Sequence, residues 1–262
     1  MPQRGLGEIL SSAFEIYKAN ASGLLMIVAV VVVPLTFLSA FFDGVVFAPE
    51  THTTEILGQT IEVTTRSATI GLLAVLITAA ISIIITSVLQ AALIRAAAQA
   101  SIGDTVDIDA SYRWGFARFG SVLLVSILVG LAVFVGLILL IIPGIIFAIM
   151  FSVSVPALVV ENRKGTEAMS RSWNLVKGHF WHALVVLLVA GIITGVVSGI
   201  ITAIGSAISD NWFVEWIFQA IAQIIVAPFS ALVGVLLYLD LRARVESLTA
   251  QQLRGELASN PL

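Results

Sequence analysis

Apolar stretches of membrane-spanning length alternate along the chain with short charged ones. A bilayer core of about 30 Å takes about 20 apolar residues at a helical rise of about 1.5 Å each. Six stretches meet or approach that length: 23–42 with Pro34 inside, 70–94, 121–142, 145–160, 183–208, and 213–239 with Pro228 inside. The fourth is the shortest. It is a separate span because Pro143-Gly144, a turn signal, divides a nearly uncharged run too long for one crossing. A tight helical hairpin is expected there. A kinked or re-entrant segment is the competing reading, tolerated only where protein covers the irregular backbone. The expected fold is all-α: a single polytopic membrane domain over 1–262, with six spans.

Composition supports the same class. Hydrophobic residues are 59% of the chain and charged residues 11%, against about 45–50% and 25% in soluble domains. The net charge of −3 argues against nucleic acid, which calls for a basic face. Cysteine is absent, which removes disulfides, thiolate metal sites and cysteine nucleophiles. The first apolar run follows an amphipathic segment carrying Glu8 and Glu15. A secretory leader has a short basic segment there, so this run reads as a retained span.

Lys and Arg in the connections set the expected orientation. One side holds Arg4, Lys18, Arg95, Arg113, Arg118, Arg163, Lys164, Arg171, Lys177, Arg242, Arg244 and Arg254. The other holds only Arg66, among Asp43, Glu50, Glu55, Glu62, Asp210 and Glu215. Both termini are therefore expected in the cytoplasm.

Three segments on the basic side share a pattern. Phe14, Trp114 and Trp173 are each followed four residues later by a cation, Lys18, Arg118 and Lys177, just before a span. Helices at about 5–20, 109–119 and 165–181 are expected to lie in the headgroup layer, with the three cations reaching anionic lipid. Three units of interfacial helix plus hairpin follow. The bland alternative is that any segment passing into a membrane recruits an aromatic and a basic residue. Between the first two spans, TTEIL, Gly58-Gln59 and TIEVTT read as a short β-hairpin covering the outer face.

Within the spans, Gly191, Gly195, Gly199, Ala203 and Ala207 recur every four residues. They form an expected helix-packing face, either against a neighbour in the chain or as a homodimer or partner seam. Thr78, Ser82, Thr86 and Gln90 line one span, and Gln219 and Gln223 another. These serve interhelical hydrogen bonding or a polar pathway. Charges sit only at span ends, and Glu161, Arg171, Asp240 and Arg242 fall at one level. Such charges near lipid call for pairing. Glu161 or Asp240 is expected to pair with Arg171 or Arg242 and lock the hairpin ends together.

No G-x-S-x-G, H-E-x-x-H or P-loop motif occurs, so no catalytic, cofactor or metal site is expected. His179 and His182 share a helix face without a carboxylate or thiol beside them in sequence. Asp104, Asp107 and Asp109 lack the glycine and terminal Glu of a calcium loop, and Asp109 reads as a helix cap.

Residues 141–181, with Pro143-Gly144, Pro156-Ala157-Leu158, Glu161, Arg171-Ser172-Trp173 and Lys177-Gly178, and residues 236–244 (LLYLDLRAR) carry a resemblance. They resemble bacterial membrane proteins similar to the membrane domain of glycerophosphoryl diester phosphodiesterase. That resemblance implies the bacterial cytoplasmic (inner) membrane. It implies no activity, because the phosphodiesterase barrel of the fused relatives takes about 250 residues of its own. Three functions stay open: a non-enzymatic module acting as scaffold, partner or factor in lipid or envelope homeostasis; a transporter or channel for a small or amphiphilic solute; and a lipid-handling enzyme, favoured by the family name alone. A cavity between the hairpins, open to one leaflet, would point to lipid or amphiphile handling.

Overall fold

The computed structural model describes residues 3–41, 50–56, 59–65, 68–209 and 211–259. Asp43, Gly58, Arg66, Asp210 and Leu262 lie outside them, as does the Thr78 side chain. In chain order come α1 (Leu6–Ala19), α2 (Ala21–Phe41), β1 (Glu50–Ile56), β2 (Gln59–Thr65), α3 (Ala68–Ser101) and α4 (Ile108–Leu139). Then follow α5 (Ile141–Met150), α6 (Ser154–Glu161), α7 (Thr166–Val176), α8 (Phe180–Ile208), α9 (Trp212–Glu246) and α10 (Ala250–Ser259).

The protein is an all-α membrane bundle. Among the described residues, α2, α4, the α5–α6 pair, α8 and α9 are long and apolar enough to cross a bilayer. The remaining expected span, 70–94, lies inside the 34-residue α3 and carries no charge. α9 is the hub, packing against α1, α2, α3, α6, α7 and α8. Its second half is buried almost all round, from Leu232 to Ala243, as a helix enclosed by others must be. At the opposite end, Trp216 Nε1 donates to Thr36 Oγ1 at 2.9 Å and joins α9 to α2. The ribbon between α2 and α3 is an antiparallel hairpin with Ile56 opposite Gln59 and Glu50 opposite Thr65.

The hairpin near Pro143 forms, with its turn one step earlier than expected. Leu140 is the extended residue between α4 and α5, and Pro143 lies in the first turn of α5. A helix has no intrahelical use for its first N–H groups, so proline fits there. The two arms close on glycines: a Cβ on Gly136 would lie 2.9 Å from the Gly144 backbone.

The same span breaks again at Phe151–Val153, before α6. That break leaves backbone groups without helical partners. Ser172 of α7 supplies them: its hydroxyl donates to the Met150 carbonyl at 2.7 Å and accepts from Val153 N–H at 3.3 Å. Irregular backbone persists at membrane depth when a neighbour satisfies it in this way.

Two of the three expected interfacial helices differ. Residues 109–119 are the first turns of the continuous α4, not a separate element. α7 is shorter than 165–181, and Ala168, Ser172, Leu175 and Val176 are fully buried in the bundle. Its amphipathicity faces protein, because it must cover the broken span. α1 matches 5–20 closely, yet it also packs on α9: Ile9 and Ala13 are buried, and Tyr17 Oη donates to the Ile225 carbonyl at 3.2 Å. The repeated aromatics are not equivalent either. Phe14 is exposed, whereas Trp114 is fully buried, with the Arg95 and Arg118 guanidiniums each 5.3 Å from its ring.

Candidate functional site

A cavity of about 840 Å³ lies between the α3–α4 and α8–α9 hairpins, with the α5–α6 break on its wall. Leu89, Leu93, Ile94, Val155, Pro156, Leu187 and Ala231 make it mostly apolar. Thr86, Ser87, Gln90, Ser126, Ser152 and Ser230 add polar groups. Thr86, Gln90 and Ser230 are exposed, so the cavity opens sideways out of the bundle. Several hydroxyls are already spent: Thr86 donates to Ser82 O at 2.5 Å, Ser87 to Ile83 O at 2.6 Å and Ser152 to Ile149 O at 2.8 Å. The Ser126 hydroxyl is buried without a hydrogen-bond partner among the described residues. A hollow of this size and lining is of the kind that takes small molecules. The α3 polar stripe is thus brought to the cavity, while Gln219 and Gln223 are exposed elsewhere on α9.

One end of the bundle carries two charge networks. In the first, the nearly buried Glu161 accepts from Tyr238 Oη at 2.5 Å, Arg171 Nε at 2.8 Å and Arg163 Nε at 2.6 Å, with Arg242 Nε at 3.4 Å. Arg171 then forks onto Glu246, with Nη2 at 2.7 Å from Oε2 and Nη1 bonded to Oε1. Arg242 forks onto Glu256 of α10 at 2.6 and 2.9 Å. Partial burial works against the Arg171 charge, but Glu246 and Glu161 outweigh it and hold the guanidinium above its usual range. Paired bonds of a guanidinium to a carboxylate are the strong form of this contact.

The second network centres on Asp240, whose side chain is fully buried. Asp240 accepts from Arg244 Nε at 2.7 Å and from the Arg4 backbone N–H at 2.6 Å, and His182 Nε2 lies 2.9 Å away. Arg244 also donates to the Arg4 carbonyl at 2.6 Å. The two ends of the described chain therefore meet at one end of the bundle.

Of the four residues expected to form a lock, Glu161, Arg171 and Arg242 come together and Asp240 does not. Asp240 pairs with neither Arg171 nor Arg242. Two residues apart on a helix, Asp240 and Arg242 point to opposite faces, whereas Asp240–Arg244 and Arg242–Glu246 share faces at four-residue spacing. That spacing was visible in the sequence and would have found Arg244 and Glu246. Nothing in the sequence pointed to His182 or Glu256, which arrive from other elements.

The expected packing face of α8 turns away from the bundle. A Cβ on Gly191, Gly195 or Gly199 would meet nothing within 4 Å, and Ala203 and Ala207 are exposed. α8 closes on α9 at Gly205 instead, where a Cβ would lie 2.7 Å from Phe218. Thr194 and Thr202 bond back to their own helix, to Ala190 O and Ser198 O. Four-residue periodicity marks a face but not its occupant. Lys18 and Lys177 are exposed, while Arg118 is folded onto Trp114. Asp107, not Asp109, caps α4, accepting from Ala110 N–H at 3.0 Å. Among the described residues, no group of three or more His, Cys, Asp or Glu is placed to hold a metal.

These features define a multi-span helical membrane protein with a lateral cavity and a charged cap. Comparison with protein-family models, curated proteins and solved structures finds no match to the chain.

Proposed function

We propose that the chain is a non-enzymatic membrane protein of lipid or envelope homeostasis that holds an amphiphile in the cavity between its hairpins. The cavity carries this reading: it is apolar, open sideways, and lined by hydroxyl and amide groups at Ser126 and Gln90. Inside a bilayer, apolar burial gives little discrimination, since lipid tails are as apolar as the wall. Selection then rests on those few polar groups, and the ligand is an apolar tail bearing a small polar function. The residues that resemble the phosphodiesterase membrane domain, 141–181 and 236–244, form the cavity's broken wall and the cap. Kinship with that family adds no activity to this reading.

Gly130 and Gly234 line the cavity, and a Cβ on either meets nothing within 4 Å. Gly130→Leu or Gly234→Leu therefore fills the cavity without a clash at the first added atom. Native mass spectrometry of purified wild-type protein should show a retained amphiphile that both variants lose while melting normally. Equal adducts on all three proteins would reject the reading.

A transporter is the second reading, favoured by the break at Phe151–Val153 on the cavity wall, since interrupted helices line transport sites. Flux of an amphiphile across proteoliposomes, abolished by Gly234→Leu, would select it. The excess of basic residues supports a cytoplasmic position for the charged end, and the resemblance to bacterial membrane proteins supports the inner membrane. Reporters fused at Leu262 and at Gly58 should then lie on opposite sides. Lys18 and Lys177 reach anionic lipid at that surface.

A further inference from the structure

Beyond the apolar cavity, the charged end encloses a second hollow of about 440 Å³, walled by Glu161, Arg163, Arg171, Arg242, Glu246 and Glu256. Three guanidiniums face three carboxylates. Five of the six belong to α6, α9 and the segment through α7 between them. Glu256 alone comes from α10, the last helix of the chain. Its side chain is about one-third exposed, against 7% for Arg242. α10 is held to the bundle through buried Leu253 and an Arg254 bond to the Ile102 carbonyl at 3.0 Å.

We propose that this hollow is a binding site for a phosphate-class anion, and that Glu256 is its internal stand-in. Both Arg242 Nη groups meet the two Glu256 oxygens, at 2.6 and 2.9 Å. A guanidinium takes a phosphate oxygen pair with the same fork. The remaining wall is not neutral without Glu256. It presents Arg163, Arg171 and Arg242 against Glu161 and Glu246, a net positive charge in a partly buried setting. Without Glu256 the two Arg242 Nη groups lose their carboxylate, while Nε stays beside Glu246 at 3.2 Å and Glu161 at 3.4 Å; an anion then takes the vacated fork. Glu161 fixes the site by accepting from the Nε of both Arg163 and Arg171, while Arg171 directs its own fork onto Glu246. Of the two forks, the one on Arg242 is held by a carboxylate from the last helix, whereas the one on Arg171 is held from within α9. The phosphate belongs either to a lipid headgroup at this membrane surface or to a free anion. The site does not rest on the amphiphile cavity, since the buried Tyr238 lies between the cavity residue Gly234 and Arg242 on α9.

The test titrates the full-length protein in neutral detergent with inorganic phosphate and, separately, with dihexanoyl phosphatidylglycerol, by calorimetry. Glu256→Gln removes the competitor and should tighten binding of at least one probe tenfold or more. Leu253→Ala loosens α10 with Glu256 kept and should tighten it in the same direction. Adding Arg242→Gln to Glu256→Gln should abolish the gain. Tightening for phosphate assigns a free anion, and tightening for the lipid alone assigns a headgroup. Binding no tighter than wild type in both Glu256→Gln and Leu253→Ala, or a gain that survives Arg242→Gln, overturns the proposal.

Discussion

The two hollows of this protein share two walls and have opposite chemistry. On α6, Val155 and Pro156 line the apolar cavity, and Val160 and Glu161, one turn further on, line the charged one. On α9, Gly234 faces the first and Arg242 the second, with Tyr238 buried between them. Within about two turns each helix passes from lipid-like to salt-like surroundings. The apolar hollow is lined by aliphatic side chains and by small residues such as Gly130, Ala231 and Gly234, with no charged group among them. The charged hollow is held by paired groups, and of these Glu161, Arg171 and Arg242 are nearly buried and become uncompensated charges when their partners are removed. Stability should therefore concentrate at the cap and binding at the cavity.

The largest effect is expected at the cap. Asp240→Ala strips Arg244 and the Arg4 N–H of their buried acceptor. Loss of one member of a buried pair destabilises by about 3–5 kcal/mol. Glu215→Ala, at the exposed start of α9, should stay within about 0.5 kcal/mol. Equal thermal shifts for the two variants in detergent would mean that the Asp240 network beside the charged hollow is simply solvated. A double-mutant cycle between Glu161 and Arg171 should likewise show coupling above about 0.5 kcal/mol.

A smaller effect is expected at the wall between the hollows. Ser172→Ala removes both bonds that satisfy the backbone break at Met150 and Val153. A loss of about 1–2 kcal/mol follows, since both partners are left unmet in a buried place. Ser206→Ala, an exposed hydroxyl bonded within its own helix to Ala203 O, is the matched control. If Ser172→Ala melts like that control, the break is stable without α7.

The smallest stability effect belongs to the outward face of α8. Gly195→Leu should change the melting temperature little, because a Cβ there meets nothing, whereas Gly205→Leu must displace Phe218 and should lose about 1–3 kcal/mol. Gly195→Leu melting as poorly as Gly205→Leu would show that this face is packed against a second helix after all.

The spans were legible because their signal is local: length and absence of charge suffice, and both ends of α8 and the start of α9 fall within a few residues of the expected limits, while α9 runs on past the expected end at 239 to Glu246. The hairpin at Pro143 and the β-ribbon between α2 and α3 were legible from turn residues. The second break at Phe151–Val153 was not, because the group that satisfies its backbone is Ser172, about twenty residues away. The cap was half legible. Glu161 and Arg242 stood out as charges at span ends and Arg171 on the helix that follows, but their partners Glu246 and Glu256 depend on how α9 ends and α10 folds back. The reading of 109–119 and 165–181 as surface helices failed for one reason. Amphipathicity shows that a helix has an apolar side but not what covers it: in both segments part of that side, Trp114 in one and Leu175 and Val176 in the other, is buried in the bundle. The α8 small-residue stripe failed in the opposite sense, since it faces outward.

The most direct test of amphiphile binding is photo-crosslinking in nanodiscs with a phospholipid carrying a diazirine on its tail, followed by mapping of the labelled residues. The account predicts label on the cavity wall at Ser126, Ala231 and Gly234, lost on the first two in Gly234→Leu, beside a constant background on outward residues such as Ile192 and Val196. Label confined to Ile192, Val196 and the rest of the outer face, unchanged by Gly234→Leu, would contradict it.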